Sequence, residues 1–181
     1  MQSFRIIKPA AALVPYVRHY WVLSDDALAP VSERTLPVGC VQMVFHRGRQ
    51  LLSLTEGRLQ PSSFISGQAF GYSDVESTGM LEMIVVVFQP FAAKAFLHMP
   101  VSEFRGMNVN TEETDDPQLV DLGRRVADMP DQAACIRLIE KFLLSRLYAF
   151  SEYNLKRVST ALEAVTLHPY GTTGGRSLPE Q

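Results

Sequence analysis

The side chains able to do chemistry are few and widely spaced. Four histidines occur, His19, His46, His98 and His168. No two stand at the spacing that brings imidazoles onto one metal, and neither Cys40 nor Cys135 joins them. A lone histidine on a strand is usually a hydrogen-bonded structural residue, and a metal site in a barrel draws several histidines and an acid from neighbouring strands. No metal is therefore expected, and His46 is kept only as a candidate for lining a pocket. There is no G-x-S-x-G elbow, no glycine-rich phosphate loop and no H-E-x-x-H. Glu112 and Glu113 lie in a hydrophilic run, with nothing to hold them in a low-dielectric cleft. The chain is expected to have no catalytic residues, to be no enzyme and to need no cofactor.

Binding is the other chemistry to weigh. Arg18, Tyr20 and Trp21 crowd one strand and could line a ligand pocket by stacking and hydrogen bonding. Trp21 as a core anchor, with Arg18 covering a sheet edge, is the competing reading. Arg34 could meet an anionic effector bidentately, or form a surface ion pair with Glu33 or Asp25. Gln68, after Gly67, suits either a pocket amide or a turn cap.

The elements that must position these residues change in character along the chain. Residues 17–24, VRHYWVLS, are rich in aromatic and β-branched side chains and predict a strand, ahead of a polar loop at 25–30. A turn signal at Pro37 to Gly39 precedes a strand in which Val41, Met43 and Phe45 alternate with Gln42, Val44 and His46. LLSLTEGRL predicts a hairpin about Glu56 and Gly57, and SSFISGQAF a strand ending at Gly67. YSDVESTGMLEMIVVVF predicts two strands joined near Thr78 and Gly79, the second apolar on both faces and so central in its sheet.

After Pro90 the period lengthens. PFAAKAFLHM predicts a helix closed by Pro100, and SEFRGMNVN reads as irregular. The acids of TEETDD mark the solvated start of a helix over residues 117–127. A longer helix over 131–150 carries Ile136, Ile139, Leu143, Leu147 and Phe150 in one stripe, with Cys135, Leu138 and Phe142 beside it. That face is wider than a surface helix needs. A further helix is expected over 153–167, and residues 169–181 are expected to be disordered. The class is α+β: an antiparallel sheet or barrel, a cupin-like one among the options, followed by helices. The expected organisation is a β-rich sensor region at 1–105, a helical region at 106–168 packing on it, and the tail.

Composition agrees with an ordinary globular protein: 181 residues, 46% hydrophobic and 20% charged, with a formal net charge of −2. That charge offers no general attraction to phosphate, so direct nucleic-acid binding is not expected. Between Glu103 and Glu140 nine acids face four arginines. Two cysteines in apolar surroundings predict buried reduced thiols rather than a disulfide. The N-terminus shows no signal peptide and no segment to span a membrane, so the cytoplasm is the expected compartment.

Four stretches in order, PYVRHYWVLS, RTLPVGCVQMVFHRG, SFISGQ and IVVVFQPFAAKAFLHMPVSEF, resemble the sensor domain of AraC-type bacterial transcription regulators. That family shows a "PYVRYYW"-like strand, an "R-x-LPDGC-x-x-LVF" strand pair, an "F-x-x-GQ" element and a "G-x-x-F-x-P-x-G-x-x-x-FLG-x-P" strand-to-helix turn. The likeness runs from about Phe4 to Phe104. It departs at Val38, where the family often has Asp, and at Phe91 and Ala92, which replace a glycine-rich pair.

The resemblance implies a cytoplasmic sensor that binds a small-molecule effector and controls a C-terminal DNA-binding domain of two helix-turn-helix subdomains. The residues after His168 lack that helical pattern, so the chain is expected to be without that domain. It is also expected to be a homodimer, with Leu138, Ile139, Phe142, Leu143 and Leu147 at the interface, because sensors of paired DNA half-sites dimerise. The alternative function is a small-molecule-binding or enzymatic β-barrel unrelated to transcription, which would require an acid–base or metal cluster. A non-functional remnant is the third reading.

Overall fold

The computed structural model describes residues 2–36, 38–69, 71–147 and Thr160. The chain divides into two units, Met1–Ala149 and Phe150–Gln181, and all elements below lie in the first. In chain order they are β1 (Ser3–Ile7), β2 (Val17–Asp25), β3 (Ser32–Thr35), β4 (Gln42–His46), β5 (Leu52–Ser53), β6 (Arg58–Leu59), β7 (Ser63–Ser66), β8 (Ser73–Glu76), β9 (Leu81–Phe88), β10 (Asn108–Asn110), α1 (Pro117–Asp128) and α2 (Gln132–Leu147). Apart from Thr160, which is helical, the helix expected at 153–167 lies outside the described residues, as do the tail at 169–181, Phe150 and the Pro37 end of the predicted turn.

The fold is α+β. Six strands form an antiparallel sheet in the order β1-β2-β9-β4-β7-β10, and four form a second in the order β3-β8-β5-β6. Neither closes on itself, so of the two forms expected the sheet is the one found and the barrel is not. Closure demands strands of matched length and continuous stagger, whereas β5 and β6 are two residues each.

Period-two alternation assigns the two faces of the larger sheet. In β9 all eight residues but Glu82 are buried, which is why its sequence is apolar on both sides. Leu81, Met83, Val85 and Val87 belong to one cluster with Val44, Phe64 and Leu51, and Trp21 and Leu23 pack against it. Ile84, Val86 and Phe88 point the other way, toward the layer that holds α1 and α2. There Ile84 stands level with Val22 and Phe45, and all three are fully or almost fully buried.

The helical layer is fastened by specific polar contacts as well as by packing. Asp116 caps α1 by accepting from the Leu119 N–H at 3.1 Å. It also takes the Arg146 guanidinium in two bonds of 2.6 Å, and Arg146 donates further to the Phe96 carbonyl at 2.7 Å. Burial by itself would raise the Asp116 pKa; the Arg146 and Leu119 hydrogen bonds outweigh it and hold the carboxyl below its usual range. At the start of α2 the Ala134 N–H donates to Asp131 at 2.7 Å. Glu140 of the same helix accepts from the Ala10 N–H at 2.8 Å and the Tyr20 hydroxyl at 3.2 Å. Gly123 permits the close seat of α1 on β7: a Cβ there would stand 2.3 Å from Ser63 Oγ.

Several elements differ from expectation. The run after Pro90 is a short 3-10 turn, Ala92–Ala95, because Phe91 adopts a left-handed φ of 63° just before it and Pro100 follows soon after. The segment expected to be irregular holds a 3-10 turn, Val101–Phe104, and the edge strand β10. The strands flanking Thr78 and Gly79 do not pair with each other: β8 belongs to the small sheet and β9 to the large one. No helix among the described residues is long and apolar enough to cross a membrane.

Candidate functional site

Between the sheets, the cavity-side face of the large sheet is not fully covered. A cavity of about 430 Å³ opens there, within the range typical of small-molecule sites. Its apolar walls are Trp21, Val44, Leu51, Phe64, Val75 and Val85, and its polar groups include Thr35, Gln42, Gln60, Ser66, Ser73 and Asn108. Register explains the assembly: Gln42 stands opposite both Val87 and Ser66, and Asn108 opposite Ser66. Small polar residues thus collect at one end of three adjacent strands, while aliphatic side chains fill the middle. A second cavity of about 380 Å³ shares Trp21, Thr35, Leu51, Val75 and Met83 with the first.

The six residues proposed as ligand contacts separate on this geometry. Trp21 lines both cavities, with its ring 5.8 Å from that of Phe4. Tyr20, its neighbour, points to the opposite face and is wholly buried against Glu140. Desolvation, and then the Glu140 carboxylate, push its phenol pKa far upward. Arg18 is exposed at the bulge where the pairing of β2 with β9 shifts register. Arg34 is turned to solvent, gripping Asp74 across the strand pair at 2.8 and 3.1 Å with its guanidinium 4.0 Å from the Tyr72 ring centre. Its ion-pair partner is Asp74, not the Glu33 or Asp25 considered above. The hydrogen bonds from Arg34 hold the Asp74 carboxyl below its usual range.

His46 is buried, its Nε2 3.1 Å from Gln60 Oε1 and its ring 6.1 Å from that of Phe64. Its Nδ1 finds no partner among the described residues. Burial lowers its pKa to about 4, against the smaller upward pull of the Gln60 hydrogen bond. It therefore stands behind the cavity wall, supporting Gln60, which does line the cavity. Gln68 is exposed and lines neither cavity; its carbonyl accepts from Gly106 at 3.0 Å. Gly67 beside it lines the cavity and lets the Phe104 backbone come close, since a Cβ there would fall 1.6 Å from the Phe104 carbonyl oxygen.

The five residues proposed for a dimer seam also divide. Ile139 and Leu143 are fully buried, while Leu138, Phe142 and Leu147 are half-buried. Leu138 and Phe142 flank a groove between α1 and α2, and Phe142 lies 4.2 Å under the Arg146 guanidinium. Cys40, a cavity residue, and Cys135, on α2 facing α1, are both buried free thiols. Burial raises both pKa values, which makes them poor nucleophiles. Among the described residues no group of three His, Cys, Asp or Glu is placed to hold a metal ion.

Gln42, Gln60, Ser66 and Asn108 carry no local motif and were not foreseen. The only usable signal was the alternation itself, which sets Gln42 on the same side as Val44. The stretch that builds this cavity is also the stretch with relatives: a family described as a domain of unknown function, DUF6597, matches residues 5–110. The chain belongs to the DUF6597 family. The DUF6597 segment takes in nine of the ten strands whole and all but the first two residues of β1. It supplies the described lining of the first cavity, and α1 and α2 follow it. Among curated proteins none matches the chain.

Proposed function

We propose that this chain is the effector-sensing and dimerising part of an AraC-type transcription regulator. The observation that carries this reading is the inter-sheet cavity, a small-molecule-sized space with an apolar body and hydrogen-bonding groups at one end. The four ordered sequence blocks that resemble AraC-type sensors overlap β2, β3 with β4, β7 and β9, which bring Trp21, Thr35, Val44, Phe64 and Val85 to its wall. Among the described residues the cavity lining has no paired carboxylates and no nucleophile beside a base, so it suits binding better than turnover. In this reading α2 contributes the half-buried Leu138, Phe142 and Leu147 to a twofold seam.

The test uses the chain's single tryptophan. Small metabolites that raise the melting temperature are titrated while Trp21 emission and sedimentation are followed. A sensor gives saturable binding that alters the emission and shifts the monomer–dimer balance. Conversion of a bound compound to product would overturn the sensor reading.

A further inference from the structure

The lining of the cavity specifies what charge it accepts, on the reading above that it is an effector site. Among the described residues neither cavity has a lysine, arginine or histidine in its wall. The carboxylates at the rims are already engaged. Glu56 pairs with Arg58 at 2.8 Å, Asp25 accepts from the Ala27 N–H at 3.0 Å, and Glu33 accepts from Gln2 at 3.3 Å. Three guanidiniums stand near but outside the lining: Arg58 is held by Glu56, Arg34 by Asp74, and Arg18 is exposed, with its field reaching Cys40. An anion brought between the sheets would lose its water and find no cationic side chain in the described lining to offset the loss, a cost that grows steeply with burial. It would in addition face the carboxylates of Asp25 and Glu33, whereas Glu56 is offset by Arg58.

We infer that the cavity is a receptor for a mainly apolar small molecule that carries two or three hydrogen-bonding groups and no negative charge, and that it rejects anions. Gln42, Ser66 and Asn108 gather at one end and offer both donors and acceptors. Trp21 forms part of the shared wall with the second cavity, so a flat apolar portion would lie against its indole.

Two fluorescent probes with the same ring system make the test: neutral phenylnaphthylamine and its sulfonated counterpart, anilinonaphthalene sulfonate. Each is titrated into the full chain, and energy transfer from Trp21 locates it. The neutral probe is expected to saturate with transfer and to bind at least about tenfold tighter than the sulfonate. Ser66→Phe, which fills the polar end, should abolish its binding. Asn108→Lys, on the edge strand, should bring the sulfonate to near parity. Equal or tighter binding of the sulfonate to the wild-type chain would overturn the charge inference and leave the effector site standing. No binding of either probe, or neutral binding untouched in a Ser66→Phe chain that still unfolds cooperatively, would overturn both.

Discussion

The two faces of the six-stranded sheet are made by alternate residues of the same strands, yet they are finished differently. The helix-side face is filled by Ile84, Val86 and Phe88 and tied down by Tyr20 with Glu140 and Arg146 with Asp116. The opposite face carries Val44, Val85 and Trp21 beneath a small second sheet that leaves room for a guest. One face holds the fold together and the other holds space. Close packing and open volume are thereby separated at single-residue resolution along one strand.

The sharpest way to break this contrast is at the buried ion pair. Arg146→Ala leaves Asp116 buried without its partner and should cost about 3–5 kcal/mol in denaturant unfolding. A cost under about 1 kcal/mol would mean that the helical layer is not what secures the fold. Adjacent residues of β9 give the next comparison. Ile84→Ala opens a void in the packed layer and should cost about 2–5 kcal/mol, while Met83→Ala merely enlarges an existing cavity and should cost roughly half as much. Equal losses would erase the distinction between the faces.

His46 gives the contrast a pH dependence. Its folded pKa of about 4 lies below the ordinary 6.5, so between those values the unfolded chain binds more protons. Stability is full above pH 6.5, falls as the pH drops toward 4, and then levels off, with a total loss of about 3 kcal/mol. His46→Gln should flatten that part of the profile; an unchanged profile would assign the loss to other groups. The smallest effect concerns Phe91, exposed and left-handed at φ 63°. Phe91→Gly should relieve the strain and stabilise by about 1 kcal/mol, read as a small rise in melting temperature.

Sequence patterns revealed the strands that are strongly apolar. The runs that became β2, β4 and β9 were legible because their side chains are sorted between two buried environments. β1, β3 and β10 were not, since SFRII and SERT are largely exposed and NVN is three half-buried residues; an edge strand has little burial to encode. The helix starting at Pro117 was legible from its acids and proline, and Asp116 is indeed its cap. For the site, Trp21 was visible because large aromatics advertise burial. Tyr20 beside it was misassigned because adjacent strand residues face opposite ways, a rule that could have separated them. The polar end of the cavity was hidden: Gln42, Ser66 and Asn108 come from three strands and meet only through register.

The route of the chain between the sheets bears on how the molecule comes together. After β2 the chain passes to the small sheet for β3, returns for β4, crosses again for β5 and β6, returns for β7, crosses for β8 and comes back for β9. Hydrogen-bonded neighbours are consequently distant in sequence: Trp21 pairs with Val85, and Ser32 with Glu76. Neither sheet can be completed while the other is unformed, so the strands should gain protection from hydrogen exchange as one cooperative unit. Loop closure must precede most of the rewarding contacts, which places folding among the slow, non-local topologies, on the order of milliseconds to seconds. A nascent chain stays open at the β2 edge until β9 has emerged, some sixty residues later. An empty space between sheets is thus sealed by the last long strand to arrive.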